Sequence, residues 1–305
     1  MANNVIQSKS IKWVHVTNVE ESDLAYLQEN FRFHHLDYED IRVETPISKM
    51  DTYKHYIFCV FHIPTVHQET GHVSGEELYM FVSQDSVVTV SHVHLPAVET
   101  FFDRLDKSAK FRASIMGKGS MYLMYKILHE AFKESLKIAS DLSQEVSRLE
   151  RAIETEHNKS ITVDLGHARR NVLYNRHIID PQRAMLSSLS NTKRTFITSE
   201  TVLYLDDLHD LLDTVWLTSD NLKLIVDGLF DVNEALLSHK TNEIITLLTI
   251  VSAAFMVPTF IAGFYGMNVS WLPFSEQPGI VGMFYLASFI IMIIVVYTVM
   301  KRPRS

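Results

Sequence analysis

The sequence has 305 residues, a net charge of −8 and one cysteine. This acidic balance argues against a nucleic-acid-binding protein, which needs a basic surface. A single cysteine excludes an intrachain disulfide framework and suits a reducing compartment. Because Cys59 lies in an apolar run, we expect it to be a core residue.

The first third of the chain has the pattern of a small α/β domain. Residues 11–17 alternate like a strand, and residues 20–31 carry helical spacing. Three further segments are rich in β-branched and aromatic residues and predict strands: 53–64, 78–82 and 86–92. A helix then begins at Pro96. These elements predict a domain over residues 1–112 with a mainly antiparallel or mixed sheet.

Residues 113–240 predict a region of long helices. Apolar residues recur at steps of three and four, the spacing of a seam between two helices: Ala139, Leu142, Val146, Leu149 and Ile153. A second helix, over about 162–189, should run back antiparallel with a kink at Pro181. A third begins near Thr201 and meets no proline until Pro258. We therefore predict one helix that enters the membrane as a stalk about 100 Å long.

Two uncharged apolar runs, 244–264 and 280–300, predict a transmembrane hairpin within residues 241–305. Each run has about the 20 residues that a helix needs to cross the hydrocarbon core. Basic residues follow the second run, whereas the connecting loop has no Lys or Arg. The positive-inside rule therefore predicts cytoplasmic N- and C-termini, and the start of the chain does not resemble a signal peptide.

The residues after the first run carry a family resemblance. Tyr265, Gly266, Met267 and Asn268 follow a helix that contains Pro-Thr-Phe-Ile-Ala-Gly at 258–263 and precede a second span. In this setting the chain resembles the CorA family of divalent-cation channels over its whole length. The resemblance implies an α+β fold with a cytoplasmic α/β domain, a helical stalk and a two-helix hairpin, assembled as a homopentamer in the cell membrane. It implies Mg²⁺ as the transported and regulatory ion and no organic cofactor.

The chemistry of Mg²⁺ explains why a Gly-Met-Asn filter would suit it. Mg²⁺ demands octahedral oxygen coordination and gives up water reluctantly. A ring of neutral Asn268 amides could accept hydrogen bonds from an intact hexahydrate without the tight binding of a carboxylate ring. Gly266 would permit close approach or a positive φ, and Met267 would pack to hold the turn. An Asn after Gly could also simply cap the helix.

One face of the third helix combines acids with polar groups inside the membrane. On a helical wheel this face collects the acids Asp206, Asp210, Asp213, Asp220, Asp227 and Asp231. It continues into the first span through Asn242, Thr249, Ser252, Met256, Thr259 and Gly263. The shared register predicts a face that lines an ion pathway. A solvated helix face and helix packing by Ser and Thr would account for the two sets separately.

The family's pore positions, counted back from Asn268 without gaps, add one residue to this face. They fall on Asn242, Leu248, Met256, Thr259 and Gly263. The wheel prefers Thr249 as the inward residue, whereas the resemblance assigns Leu248 as a hydrophobic gate that closes by dewetting. In the outer loop, Glu276 would supply an acidic ring, although the family's Met-Pro-Glu-Leu run is absent.

Asp207 is predicted to be a regulatory metal ligand. It lies about 100° from Asp206 on the wheel and should therefore face a neighbouring subunit. The same ungapped count matches it to the family's regulatory aspartate. A bound Mg²⁺ would relieve repulsion between acids there and hold the closed state. The partner acid should come from the first domain, with Glu76 and Glu77 as candidates.

The sequence thus predicts a passive Mg²⁺ uptake channel, with Co²⁺ and Ni²⁺ as further candidate ions, and no enzymatic activity. The membrane potential would supply about 4.6 kcal/mol per 100 mV for a divalent ion. A Zn²⁺ transporter is the alternative within the family, because zinc-transporting relatives share Gly-Met-Asn. A membrane-anchored cytoplasmic enzyme is the alternative of another class, but residues 1–240 show no nucleophile, metal-ligand or nucleotide signature.

Overall fold

The computed structural model describes residues 4–8, 11–155, 159–192, 196–269, 271–274 and 276–301. It divides into two compact units, Met1–Phe230 and Asp231–Ser305. The first unit contains a sheet and several helices, and the second contains the apolar hairpin. The domain boundaries at residues 112 and 240 stay predictions.

The first unit is built on a six-stranded mixed sheet in the order β1-β2-β6-β5-β4-β3. The strands are β1 Asn4–Ser8, β2 Ile11–Thr17, β3 Lys49–Thr52, β4 Tyr56–Val66, β5 Val73–Ser83 and β6 Ser86–Ser91. β2 and β6 pair in parallel, and the other pairs are antiparallel. This arrangement confirms the prediction of a mixed sheet.

Both faces of the sheet are covered, because successive residues of its central strands enter two different cores. Val88 packs with the helices α1 Glu21–Asn30 and α2 His35–Val43, whereas Val87 packs with α3 Pro96–Lys107 and the following helices. Cys59 is fully buried in the second of these cores, where burial raises the pKa of its thiol. The prediction that Cys59 is a core residue is confirmed.

Three long helices complete the first unit after the short α4 Ala109–Met116. They are α5 Ser120–Thr155, α6 Lys159–Ser190 and the part of α7 Ser199–Tyr265 that lies before residue 231. The predicted seam of α5 is buried against apolar residues of the other two helices, among them Leu165 and Val226. α6 continues through Pro181, so this proline does not end the helix.

Polar side chains of α6 satisfy backbone groups of β4 and of the turn that leads into β5. The Gln182 amide accepts from the His62 backbone N–H at 3.2 Å and donates to the His62 carbonyl at 2.8 Å. Asn171 donates to the Gly71 carbonyl at 2.8 Å and accepts from the Val73 N–H at 3.3 Å. Because β3 pairs with β4 only as far as Val60, the His62 backbone groups lack a strand partner on that side, and α6 supplies one.

His15 is a buried histidine in a hydrogen-bonded cluster with Trp13 and Thr89. The Trp13 indole N–H donates to Thr89 Oγ1 at 2.9 Å, and that hydroxyl lies 2.8 Å from His15 Nδ1. The other ring nitrogen, Nε2, is buried and has no hydrogen-bond partner among the described residues. Burial lowers the pKa of His15 to about 4.

This histidine should make the fold sensitive to acid. Between pH 6.5 and about 4, His15 is protonated in the unfolded chain but neutral in the folded chain. The free energy of unfolding therefore falls as the pH decreases toward 4. We expect the free energy of unfolding to be about 2 kcal/mol lower at pH 5 than at pH 7 from this residue alone. His15→Asn keeps an acceptor for Thr89 and cannot titrate, so it should lack this component. Denaturant unfolding of both proteins at the two pH values measures the difference, and equal pH dependence would contradict it.

Candidate ion pathway

The second unit contains the two apolar helices that the sequence predicts. α7 ends at Tyr265, and α8 Pro278–Lys301 follows a short loop. Both helices are long and apolar enough to cross a membrane. The loop therefore places the Gly-Met-Asn motif directly after the first span.

Within this unit, α8 lies beside one face of α7, and a cavity of about 450 Å³ opens between the two helices. On the α7 side it is lined by Ile250, Ala253, Ala254, Val257 and Ile261. No predicted pore residue lines it. The predicted pore residues are all exposed within a single chain: Asn242, Leu248, Thr249, Ser252, Met256, Thr259 and Gly263.

The polar groups on this exposed face keep acceptor oxygens available. The hydroxyls of Thr249 and Thr259 each donate to a carbonyl of their own helix, Ile245 and Phe255, at 2.8 Å. Such bonds satisfy the hydroxyl hydrogen in an apolar medium and leave the oxygen lone pairs free. Leu248 and Thr249 are both exposed, so the structure of one chain is consistent with either as the inward residue.

The Gly-Met-Asn segment ends α7 by close backbone approach. The Gly266 N–H donates to the Ala262 carbonyl at 2.9 Å, and a Cβ on Gly266 would lie only 2.9 Å from that oxygen. Among the described glycines, positive φ occurs at Gly71 and Gly119 but not at Gly266. Of the two reasons expected for this glycine, close approach is therefore the one that applies. Met267 is 53% exposed within one chain, and its role in packing the turn stays a prediction.

The loop between α7 and α8 leaves Glu276 exposed. The Gln277 N–H donates to the Phe274 carbonyl at 2.9 Å, and Glu276 lies two residues before α8. Asn268 is also exposed. Both polar side chains are therefore open to partners beyond the chain.

The six predicted pore acids of α7 fall into two sets that differ in their partners. Three of them pair with arginines of α6, in the pairs Arg169–Asp227, Arg176–Asp220 and Arg183–Asp213. The Nε–Oδ1 distance is 2.9 Å in the first two pairs. Asp206, Asp210 and Asp231 are exposed instead. The acids thus form one set that is neutralised within the chain and one set that is not.

The paired set follows from the burial of α7 against its neighbours. Leu212, Val215 and Val226 must face α5 and α6, which places the three acids at the flank of that apolar seam. Charged residues at such flanking positions pair across two helices. The aspartates recur every seven residues along α7, and the arginines recur every seven residues along α6 in the reverse order of pairing. This matched spacing is the sequence signal that could have predicted the pairs.

Asp207 has a different kind of partner. The Tyr125 hydroxyl on α5 donates to Asp207 Oδ2 at 2.8 Å, and the aspartate is otherwise exposed. His129 lies one turn further along α5, and burial, followed by Lys133 and Lys126, lowers its pKa. The two predicted partner acids are occupied within the chain. Glu77 accepts from the Tyr79 hydroxyl and the Thr45 N–H, and Glu76 accepts from Ser74.

A further carboxylate group, which the sequence analysis did not find, lies in the α/β part of the first unit. Asp37, Asp40 and Asp51 have oxygen atoms within 4.8 Å of one another. The Lys49 ammonium lies 2.5 Å from Asp40 and 3.3 Å from Asp51. The Tyr56 hydroxyl donates to Asp37 at 2.6 Å. The chain's own groups therefore satisfy this cluster.

The arginine–aspartate pairs predict a compensating double substitution. Asp220→Arg should face Arg176 and lower stability by like-charge repulsion, and Arg176→Asp in the same chain should restore part of it. Because both side chains are about one-third exposed, we expect each effect to be on the order of 1 kcal/mol. Thermal unfolding of the single and double variants measures the coupling. If the double variant unfolds at no higher temperature than the less stable of the two single variants, the pairing is contradicted.

Comparison with known proteins gives consistent matches over nearly the whole chain. A family model described as CorA-like Mg²⁺ transporter protein matches residues 8–302. The cobalt/magnesium transport protein CorA of Thermotoga maritima is 28% identical over 268 residues, which cover 87% of this chain and 75% of the relative. The protein of that name from Methanocaldococcus jannaschii is 22% identical, with coverage of 95% and 89%. The complete structure of the CorA magnesium transporter from the latter organism superposes with a TM-score of 0.80, at 19% identity, and covers 98% of this chain and 92% of that one.

Proposed function

This chain belongs to the CorA family of divalent-cation transporters, and from that premise we propose that it is a passive Mg²⁺ uptake channel gated by cytosolic Mg²⁺. The observation that carries the proposal is the exposed polar face of α7 opposite α8, which ends at Gly-Met-Asn. Exposed hydroxyl and amide groups are costly in hydrocarbon, so such a face in a membrane helix needs a protein partner or a water-filled pathway.

We propose a homopentamer in which α7 lines the pore and α8 lies outside it, with both termini in the cytoplasm. One α7 helix cannot enclose a pathway, and identical chains close it by rotational symmetry. The first unit also supports self-association. Its part of α7 exposes three leucines in one register of seven residues, Leu203, Leu217 and Leu224, each with more than half of its surface free. Copies of the chain arranged around an axis would cover such a face.

In the proposed filter, Asn268 amides from each copy accept hydrogen bonds from the water shell of the ion. A hydrated ion avoids the cost of dehydration, which is largest for Mg²⁺. Glu276 would concentrate cations at the outer mouth. The relative from Thermotoga maritima is a cobalt/magnesium transport protein, and we propose Co²⁺ as a second ion. Among the cytoplasmic acids, the exposed Asp206, Asp210 and Asp231 stay in the proposed pathway.

Regulation is proposed to act through Asp207. Its exposed carboxylate carries a negative charge that no cation of the described chain compensates, which suits a site completed by a neighbouring copy. Mg²⁺ bound there would favour the closed state by binding it more tightly than the open state. The gate itself is assigned to a ring of Leu248 or Thr249, with Met256 above it.

Ion flux into liposomes tests the function and its filter together. We expect the purified protein to take up Mg²⁺ without a pH gradient, and Asn268→Ala to abolish this uptake while the oligomer stays assembled. Asn191→Ala is the control, since Asn191 is an exposed asparagine at the end of α6. Zn²⁺ uptake that depends on a pH gradient, with no Mg²⁺ uptake, would favour the zinc alternative. Robust Mg²⁺ flux through the Asn268→Ala variant would overturn the filter assignment.

The gate assignment predicts which of two neighbouring residues resists ion flow. A small polar residue at the gate hydrates the constriction and removes the dewetting barrier. Leu248→Ser should therefore raise Mg²⁺ flux at high internal Mg²⁺, whereas Leu247→Ser, on another side of the helix, should not. If Thr249→Asn, a larger polar side chain, raises Mg²⁺ flux and Leu248→Ser does not, the gate is assigned to Thr249.

A further inference from the structure

The carboxylate of Asp207 is held differently from the paired acids of α7. Asp213, Asp220 and Asp227 each lie beside an arginine of α6, which compensates their charge. Asp207 accepts its hydrogen bond from the neutral Tyr125 hydroxyl. Among the described residues, no ion pair joins Asp207 to a Lys or Arg, although His129 interacts with it electrostatically. The carboxylate is therefore oriented by a neutral donor and has no permanent cation beside it, which suits a ligand for a mobile cation.

Tyr125 is built into the fold as a fixed donor. It is only 7% exposed, and its ring stacks on Tyr204 of α7 at 5.0 Å and contacts Tyr122 at 5.7 Å. The ring packing fixes the position of the hydroxyl, and the bond engages only Oδ2 of the aspartate.

We propose that Tyr125 is a positioning residue for a divalent cation bound at Asp207, an inference that rests on the regulatory role proposed above. By engaging Oδ2, the hydroxyl turns Oδ1 toward the ion or its water shell. Carboxylates that ligate metals are themselves hydrogen-bonded, and removal of the outer donor typically lowers metal affinity about 10- to 100-fold. Tyr125 acts through Asp207 and does not touch the ion.

The same aromatic cluster supplies a matched control. The Tyr204 hydroxyl donates to Glu200 Oε1 at 3.0 Å, a tyrosine–carboxylate bond that does not involve Asp207. Tyr204→Phe therefore removes a bond of the same kind from the neighbouring ring and leaves the Asp207 carboxylate in place. Both Phe variants keep the ring packing, so their comparison isolates the hydroxyl that contacts Asp207.

The experiment is limited proteolysis of the purified full-length protein across a Mg²⁺ titration. We expect Tyr125→Phe to raise the half-protecting Mg²⁺ concentration about 10-fold, with full protection at saturation. Tyr204→Phe should titrate like the parent protein, and Asp207→Asn should lose the protection. The double variant Tyr125→Phe/Asp207→Asn should behave like Asp207→Asn alone, since Tyr125 acts only through that carboxylate.

The outcomes separate this inference from the function on which it rests. If Asp207→Asn loses protection while Tyr125→Phe titrates like the parent protein, the positioning role is overturned and the regulatory role of Asp207 stands. If Asp207→Asn keeps full protection, the regulatory role falls and the role of Tyr125 falls with it. A Tyr125→Phe protein that is digested even at saturating Mg²⁺ would indicate a purely structural tyrosine and would also overturn the inference.

Discussion

The burial of one apolar seam decides how α7 presents its side chains in the first unit. Leu149 of α5, Leu165 of α6 and Val226 of α7 are all fully buried in the same core. Burying side chains of this size stabilises a fold by about 1.5–3 kcal/mol each, which exceeds the contribution of an exposed ion pair. The seam therefore sets the rotation of α7 about its axis. The charged residues of α7 lie at the flank of the seam or on the exposed side of the helix.

That rotation gives acids of one type three different environments. Asp220, at the flank of the seam, meets an arginine of α6. Asp207 meets a tyrosine hydroxyl of α5, and Asp210 stays exposed. A carboxylate compensated by a guanidinium has little charge left for a passing ion, whereas an exposed one retains it. Chemical identity alone thus does not assign a role to an acid on this helix.

In the second unit the deciding constraint is the apolar surroundings rather than a packed core. The space between α7 and α8 is lined by small and aliphatic residues such as Ala254 and Ile261, which need no hydrogen-bond partner. The polar groups of α7 remain on the other side, where their cost in hydrocarbon requires a partner outside the chain. Membership in a family of divalent-cation transporters explains how that requirement can be met, because a pathway filled with water and ions satisfies polar groups.

The sequence alone determined the features that depend on local pattern and composition. Uninterrupted helical stretches, uncharged runs of membrane length and alternation in strands such as β2 are visible along the chain and were confirmed. The family resemblance, based on Gly-Met-Asn in its setting, was confirmed as well. Short elements such as β3 and α2 escaped prediction, because a few residues carry too little periodicity to be distinguished from a loop.

Tertiary structure decided what depends on contacts between residues distant in the chain. Three contacts depend on how the long helices dock: Asp213 with Arg183, Asp207 with Tyr125, and Gln182 with the backbone of β4. They are set by the packing of α5, α6 and α7 against one another and of α6 against the sheet. A helical wheel treats a helix as isolated and assigns residues within about 100° of one another to one face. It cannot show which side of that face a neighbouring helix covers, and on that side three of the six predicted pore acids of α7 pair with arginines.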